Sequence, residues 1–178
     1  MANSLEEIIK KKKERLAQTF RDLPAICGEE MLNFTFENFE KEGWQGETFQ
    51  EWPKRKNPTK WGKEDDTGRK LLQKTLKLKR SIRISKLREN EVSIVAGGAD
   101  IPYAKAHNEG FEGKVTQNVG EHTRKTKTGD KINVSAFTRT INQKIQKRKY
   151  IGTPEESVKL KERLMKICVE EVRKTLKP

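Results

Sequence analysis

Residues 81–98 read SIRISKLRENEVSIVAGG. Ile82 and Ile84, then Val92 and Ile94, recur at every second position, the period of a half-buried strand. The polar run Arg88-Glu89-Asn90-Glu91 separates the two stretches, and Gly97-Gly98 ends the second. The reading is a β-hairpin with one apolar face. Helical patterns lie on both sides of it, which makes the chain α+β.

Upstream, Ser4 and Glu7 fit an S-x-x-E capping box, in which hydroxyl and carboxylate satisfy free backbone donors reciprocally. Leu5, Ile9, Leu16 and Phe20 then share a narrow stripe, predicting an amphipathic helix over residues 5 to 21. Lys10 to Lys13 point in four directions from it and suit a solvated surface. Pro24 is expected to break or restart the helix. A second helix follows over 25–41, with Leu32, Phe36 and Phe39 on one side and Cys27, Met31 and Phe34 on another. Two apolar sides predict a helix buried between layers or against a partner chain.

Downstream, Thr153, Pro154 and Glu156 read as cap, first helical position and box carboxylate of a helix ending near 176. Val158, Met165, Cys168, Val169, Val172 and Leu176 form one stripe, expected to face the sheet. Leu160, Leu164 and Ile167 lie beside it, and this broader arc is expected to offer Leu160 and Leu164 to a second chain.

Between these elements the periods fade. Residues 43–69 carry Trp44, Trp52 and Trp61 amid glycines, prolines and Lys54, Arg55, Lys56 and Lys60, and read as a long loop. The tryptophans either pin that loop to the body or a neighbouring subunit, or stack on single-stranded bases. Leu71 to Leu78 suggest a short helix, and Pro102 to His107 another, closed by Gly110. Residues 112–130 read as a second mobile loop, Ile132, Val134 and Ala136 as a strand, and 139–149 as a basic connection. The layout is one domain over 1–178: helices at 5–42, an aromatic loop at 43–69, a sheet-containing core at 70–152 and a helix at 153–177. The sheet is expected to be short, antiparallel and packed against the terminal helices.

Composition narrows the classes. With 37% charged and 32% hydrophobic residues the chain is polar, yet its apolar residues fall in periodic segments, which argues against complete disorder. No apolar run is long enough for a membrane helix, and the start MANSLEEIIKKKK lacks the order of a secretory signal. The formal charge of +13 favours anionic partners, nucleic acid or an acidic protein surface, without choosing between them. Cys27 and Cys168 are too few for a disulfide scaffold and read as reduced core residues. His107 and His122 have no partner at ligand spacing, and no phosphate-binding or nucleophile motif occurs, so neither catalytic residues nor a metal or cofactor are expected.

Three segments resemble a known family. Residues 68–82, GRKLLQKTLKLKRSI, resemble the L-x-x-T-G-x-L-R-x-S-I segment of tail-completion or virion-morphogenesis proteins of tailed bacteriophages. Residues 101–110, IPYAKAHNEG, are similar to that family's P-Y-A-x-x-H-x-x-G box, and residues 148–152, RKYIG, to its R-x-F-[LI]-G segment. Leu76 stands where the first segment has Gly, suggesting that helix replaces the turn. Lys149 stands where Pro is often found.

The resemblance implies a structural protein that assembles as a ring at the tail end or head–tail neck. A hexamer is the family's expectation, with other neck or tail proteins as partners, a place in the virion and no enzymatic activity. A prophage origin fits equally. Arg80, Ser81, Tyr103, His107, Gly110, Arg148, Tyr150 and Gly152 are the motif positions it marks for folding or assembly. Tyr103 and His107 sit four apart on one helical face and are expected to anchor it to the sheet or form a subunit seam; Arg80 is expected to pair with a carboxylate or an interface. Trp44, Trp52, Trp61, Leu160 and Leu164 are the interface candidates. The rival reading is a basic nucleic-acid-binding module without activity, with non-specific DNA contact as its weaker form.

Overall fold

The structure, a computed structural model, describes residues 4–55 and 68–177. Helix α1 (Leu5–Lys41) leads into strands β1 (Gly43–Gln45) and β2 (Phe49–Glu51). The short helix α2 (Lys77–Arg80) precedes the hairpin β3 (Arg83–Arg88) and β4 (Glu91–Val95). Helix α3 (Ala104–Glu109) opens onto β5 (Phe111–Val119), β6 (His122–Lys125), β7 (Lys131–Val134) and β8 (Phe137–Ile145), and α4 (Val158–Leu176) closes the chain. The fold is α+β, with antiparallel strands between the terminal helices. They pair as four two-stranded units rather than one sheet: β1–β2, β3–β4, β5–β8 and β6–β7.

The Ser4–Glu7 capping box forms, with both reciprocal hydrogen bonds at 3.3 Å. Pro24 does not break the helix, which runs through it as a single α1. The missing N–H and the ring clash cost about 3 kcal/mol in an isolated helix. Here α4 packs antiparallel along both sides of the proline: Thr19 meets Thr175 at 2.6 Å, and Cys27 meets Cys168 at 3.8 Å. Tertiary packing outweighs the local rule.

The two apolar sides foreseen for the second half of α1 serve two cores. Phe39 joins Trp52, Leu78, Ile82, Ala104 and Tyr150, with Leu32 and Phe36 packed against them. Met31 and Phe34 join Trp44 and Leu160, flanked by Val92 and Ile94 of the hairpin.

Several expectations change. The 43–69 segment begins with the β1–β2 hairpin, while 56–67, including Trp61, lie outside the described residues. Residues 112–130 are not a loop, and 139–149 are not merely a connection. They contribute most of a ribbon in which Phe111 pairs with Ile145 through to Val119 with Phe137, extended by β6–β7. At the C-terminus, Thr153 and Glu156 form a turn, and Ser157 is the cap, its Oγ accepting from Leu160 N at 3.1 Å.

Leu76 does not extend a helix either. Its φ of 56° and ψ of 0° are left-handed, and α2 starts only after it. A left-handed turn is therefore made here by a residue that carries a Cβ. Left-handed geometry costs a non-glycine residue about 1–2 kcal/mol, and Leu76 is 37% exposed, so it has little burial to lose. Leu76→Gly is expected to raise stability by about 0.5–1 kcal/mol, read as a higher urea midpoint at unchanged slope.

Arg163 of α4 spans Glu30 and Glu37 of α1, at 3.1 Å and 2.7 Å. Its hydrogen bonds, followed by one from Lys41, hold the Glu37 carboxyl down at about 2. A depressed carboxyl contributes stability above its unfolded value near 4.5. That contribution is lost as pH falls through about 2. Because the pair is partly exposed, solvent screening limits it to about 1 kcal/mol. Melting temperature should fall between pH 5 and pH 2 more steeply in the native chain than in Arg163→Leu.

Candidate assembly site

The motif residues converge where the long ribbon leaves the body. Residues 146–152 return from β8 and run past α3, and three buried or half-buried side chains clamp them. Asn108 Oδ1 accepts from the backbone N–H of Tyr150 and of Ile151, at 3.0 and 3.1 Å. Asn38 of α1 donates to the Tyr150 carbonyl at 3.1 Å, and Trp52 Nε1 donates to the Lys149 carbonyl at 2.7 Å. Tyr150, fully buried, donates its hydroxyl to the Ala104 carbonyl at 2.9 Å. Burial raises the phenol's pKa, so it stays a donor at any working pH.

Both legs of the ribbon are fixed at this point. The Arg148 N–H donates to the His107 carbonyl at 2.7 Å, and its guanidinium donates to Pro53 O at 3.0 and 2.7 Å. Gly110 ends α3 with a φ of 82°, and a Cβ there would sit 3.3 Å from Lys147 Cβ on the opposite leg. Glycine satisfies both demands. Gly152 is needed for space instead: a Cβ would lie 2.7 Å from the Trp44 ring. Lys149, the residue replacing the usual Pro, pairs with Glu156 and lies 4.7 Å above the same ring.

Other motif positions do different work. Ser81 donates to Leu78 O at 2.6 Å and accepts from Gly97 N at 2.9 Å, tying α2 to the end of the β3–β4 hairpin. Tyr103 and His107 are ring neighbours, edge-on at 5.7 Å, but Tyr103 is 38% exposed and does not anchor α3 to a sheet. His107 is half-buried, and burial, then the Arg148 charge, lowers its pKa and favours the neutral ring. Arg80 is exposed and makes no ion pair among the described residues, which leaves the interface alternative of its sequence reading.

Of the interface candidates, Trp44 and Trp52 take the body-pinning alternative, and Leu160 and Leu164 turn into the subunit. Trp44 and Trp52 are 4% and 3% exposed, so they cannot stack on bases or meet another subunit. They pin the chain after α1 to the body. Leu160 is 1% exposed and Leu164 half-buried, whereas Val158, Met165, Val169 and Leu176 are 45–60% exposed. The α4 stripe assigned to the core is therefore split: Val158, Met165, Val169 and Leu176 face outward, while Cys168 and Val172 are half-buried and Cys168 meets Cys27 of α1. Cys27 and Cys168 are free and face one another, and burial, then Cys168, pushes the Cys27 thiol up to about 11.

Sequence reasoning missed Asn38 and Asn108. Asn108 lies inside the IPYAKAHNEG box, so the box itself was the available signal; Asn38 carried none beyond sitting between the phenylalanines of α1.

The arrangement holds the return leg of the ribbon against α1, α3 and the segment after β2. Among the described residues no group of three or more His, Cys, Asp or Glu is placed to hold a metal, and no helix is long and apolar enough to cross a membrane. No curated protein and no solved structure matches the chain. The profile of the phage virion morphogenesis family, however, matches residues 2–168 and spans every element from α1 into α4. By that match, which takes in all three motif segments and the clamp residues Asn38, Trp52, Asn108 and Tyr150, the chain belongs to the phage virion morphogenesis family.

Proposed function

We propose that this chain is a non-enzymatic structural subunit that forms a ring, hexameric by the family resemblance, at the tail end or head–tail neck and completes the tail. The family match carries the reading. The clamp supports it, because it fixes the base of a long ribbon that extends away from the body. A ring needs two different patches per subunit, so that each copy offers one surface and receives another. Partners are then further copies and the adjoining neck or tail proteins, and the place of action is the virion.

The test removes the chain from an otherwise complete phage or prophage. Heads and tail tubes should form but remain unjoined or unfinished, and labelled protein supplied in trans should mark one ring per particle in electron micrographs. Normal yields of infectious particles without the chain would overturn the reading.

A second reading rests on the β6–β7 end of the ribbon, where residues 121–131 carry Arg124, Lys125, Lys127 and Lys131 against Glu121 and Asp130. Basic side chains concentrated at a tip suit non-specific contact with DNA phosphates. Such binding weakens steeply with salt as counterions return. Affinity for duplex DNA that is absent at low salt, or indifferent to salt, would discard it.

A further inference from the structure

The β5–β8 ribbon is amphipathic, and no described element of the subunit covers its apolar face. One face carries Phe111 and Ile145, Val115 and Ile141, and Val119 and Phe137, as cross-strand pairs. The other pairs Glu112 with Lys144, Lys114 with Asn142, Thr116 with Thr140 and Asn118 with Thr138. Neither strand packs substantially on any other element of the chain. Phe111 and Phe137, at its two ends, remain 38% and 44% exposed. Two-stranded ribbons are marginal in water unless a further strand or helix covers their apolar face.

The chain has a second uncovered surface, the outward stripe Val158, Met165, Val169 and Leu176 of α4. Its dimensions suit the ribbon: nine strand residues span about 30 Å, and nineteen helical residues about 28 Å. The stripe continues into an open groove of about 790 Å³ lined by Phe49, Val158 and Glu162, with Phe49 53% exposed.

Charge is matched as well. The ribbon's apolar face contains one cation, Arg139, whose guanidinium meets, among the described residues, only the Gln117 side-chain oxygen, at 3.2 and 3.0 Å. Within the stripe, between Val158 and Met165, stands Glu162, without a partner among the described residues. The ribbon's apolar face thus carries one cation, and the α4 stripe one carboxylate, Glu162, with Lys161 and Arg173 at the stripe's edges.

We infer that the apolar face of the β5–β8 ribbon of one copy seats along the outward α4 stripe of the next copy, with Arg139 meeting Glu162. This rests on the ring proposed above and names the contact that builds it. The contact is heterologous, as a closed ring requires, and it covers both bare surfaces at once.

Analytical ultracentrifugation of the full chain tests it with two double variants, Phe137→Lys/Ile141→Lys on the ribbon and Met165→Lys/Val169→Lys on α4. Wild type should form a closed oligomer. Each variant alone should be a folded monomer, with association weakened on the order of 30-fold or more, as for loss of an interface hot spot. An equimolar mixture should give a one-to-one heterodimer and nothing larger, because only one contact remains competent. Arg139→Glu and Glu162→Arg should each weaken assembly, and their combination should restore it, which holds the test even if the lysine variants disturb the ribbon. Assembly of the α4 variant alone, as ribbon-to-ribbon pairing would allow, overturns this contact while leaving the ring intact. A wild-type chain that stays monomeric at every concentration overturns the ring, and the contact with it.

Discussion

Tyr150→Ala is expected to lower the free energy of unfolding by about 3–5 kcal/mol, the usual cost of deleting a buried aromatic ring. The ring is 0% exposed and lies 5.0 Å from the Phe39 ring, between α1 and α3. Against the roughly 5–15 kcal/mol that holds an ordinary domain together, this is a large share. Tyr150→Phe keeps the ring and removes only the bond to the Ala104 carbonyl, and should cost about 0.5–1.5 kcal/mol. Urea titration of the three proteins, each checked for an unchanged slope, gives both differences. Because Tyr150 sits in the clamp, the alanine variant should also loosen the return leg. Amide exchange at 146–152 should then accelerate more than the global loss accounts for. An alanine variant within 1 kcal/mol of wild type would mean that the clamp is held by its backbone bonds alone.

The clamp shows which levels of structure the sequence made legible. The β3–β4 hairpin was readable because Ile82 and Ile84, then Val92 and Ile94, recur at every second position on either side of a polar turn, although a register shift follows Ile84. The two cores on α1 were readable because phenylalanine and leucine mark both of its sides. The ribbon was not, for a definite reason. Along β5 the positions on the ribbon's apolar face are Phe111, Gly113, Val115, Gln117 and Val119, and along β8 Phe137, Arg139, Ile141, Gln143 and Ile145. Every second residue of that face is polar or Gly, so apolar residues recur at four rather than two, and the strand period is hidden. The pattern becomes visible only across the pair, where apolar residues face one another. Pro24 misled for a related reason: its local penalty is real, but packing from a helix more than 130 residues away decides the outcome. Tyr103, His107, Arg148 and Tyr150 were marked by resemblance alone, and only the structure gives the clamp its geometry.

Leu160→Ala should cost about 2–5 kcal/mol, while Met165→Ala, one and a half turns along the same helix, should change stability by less than about 0.5 kcal/mol. By composition α4 has two comparable apolar stripes, and hydrophobicity alone does not say which turns inward. Specific polar ties settle the rotation. Ser157 caps the helix and donates its Oγ to the Gln45 carbonyl at 2.5 Å, fixing the first turn against β1. Two turns on, Arg163 reaches Glu37 at 2.7 and 2.9 Å and lies 5.6 Å from the Phe34 ring. With 157 and 163 turned towards α1 and β1, Leu160 falls between them, against Met31, Phe34 and Trp44. Met165 must then point away, and it is 60% exposed. Thermal melts of the two alanine variants measure the contrast directly. Equal losses would show that α4 is buried on both stripes. A larger loss for Met165→Ala would restore the opposite rotation and remove the surface on which a neighbouring ribbon could seat. The expected asymmetry instead leaves Met165 free for assembly, so its substitution should move the oligomer's mass and not the subunit's melting temperature.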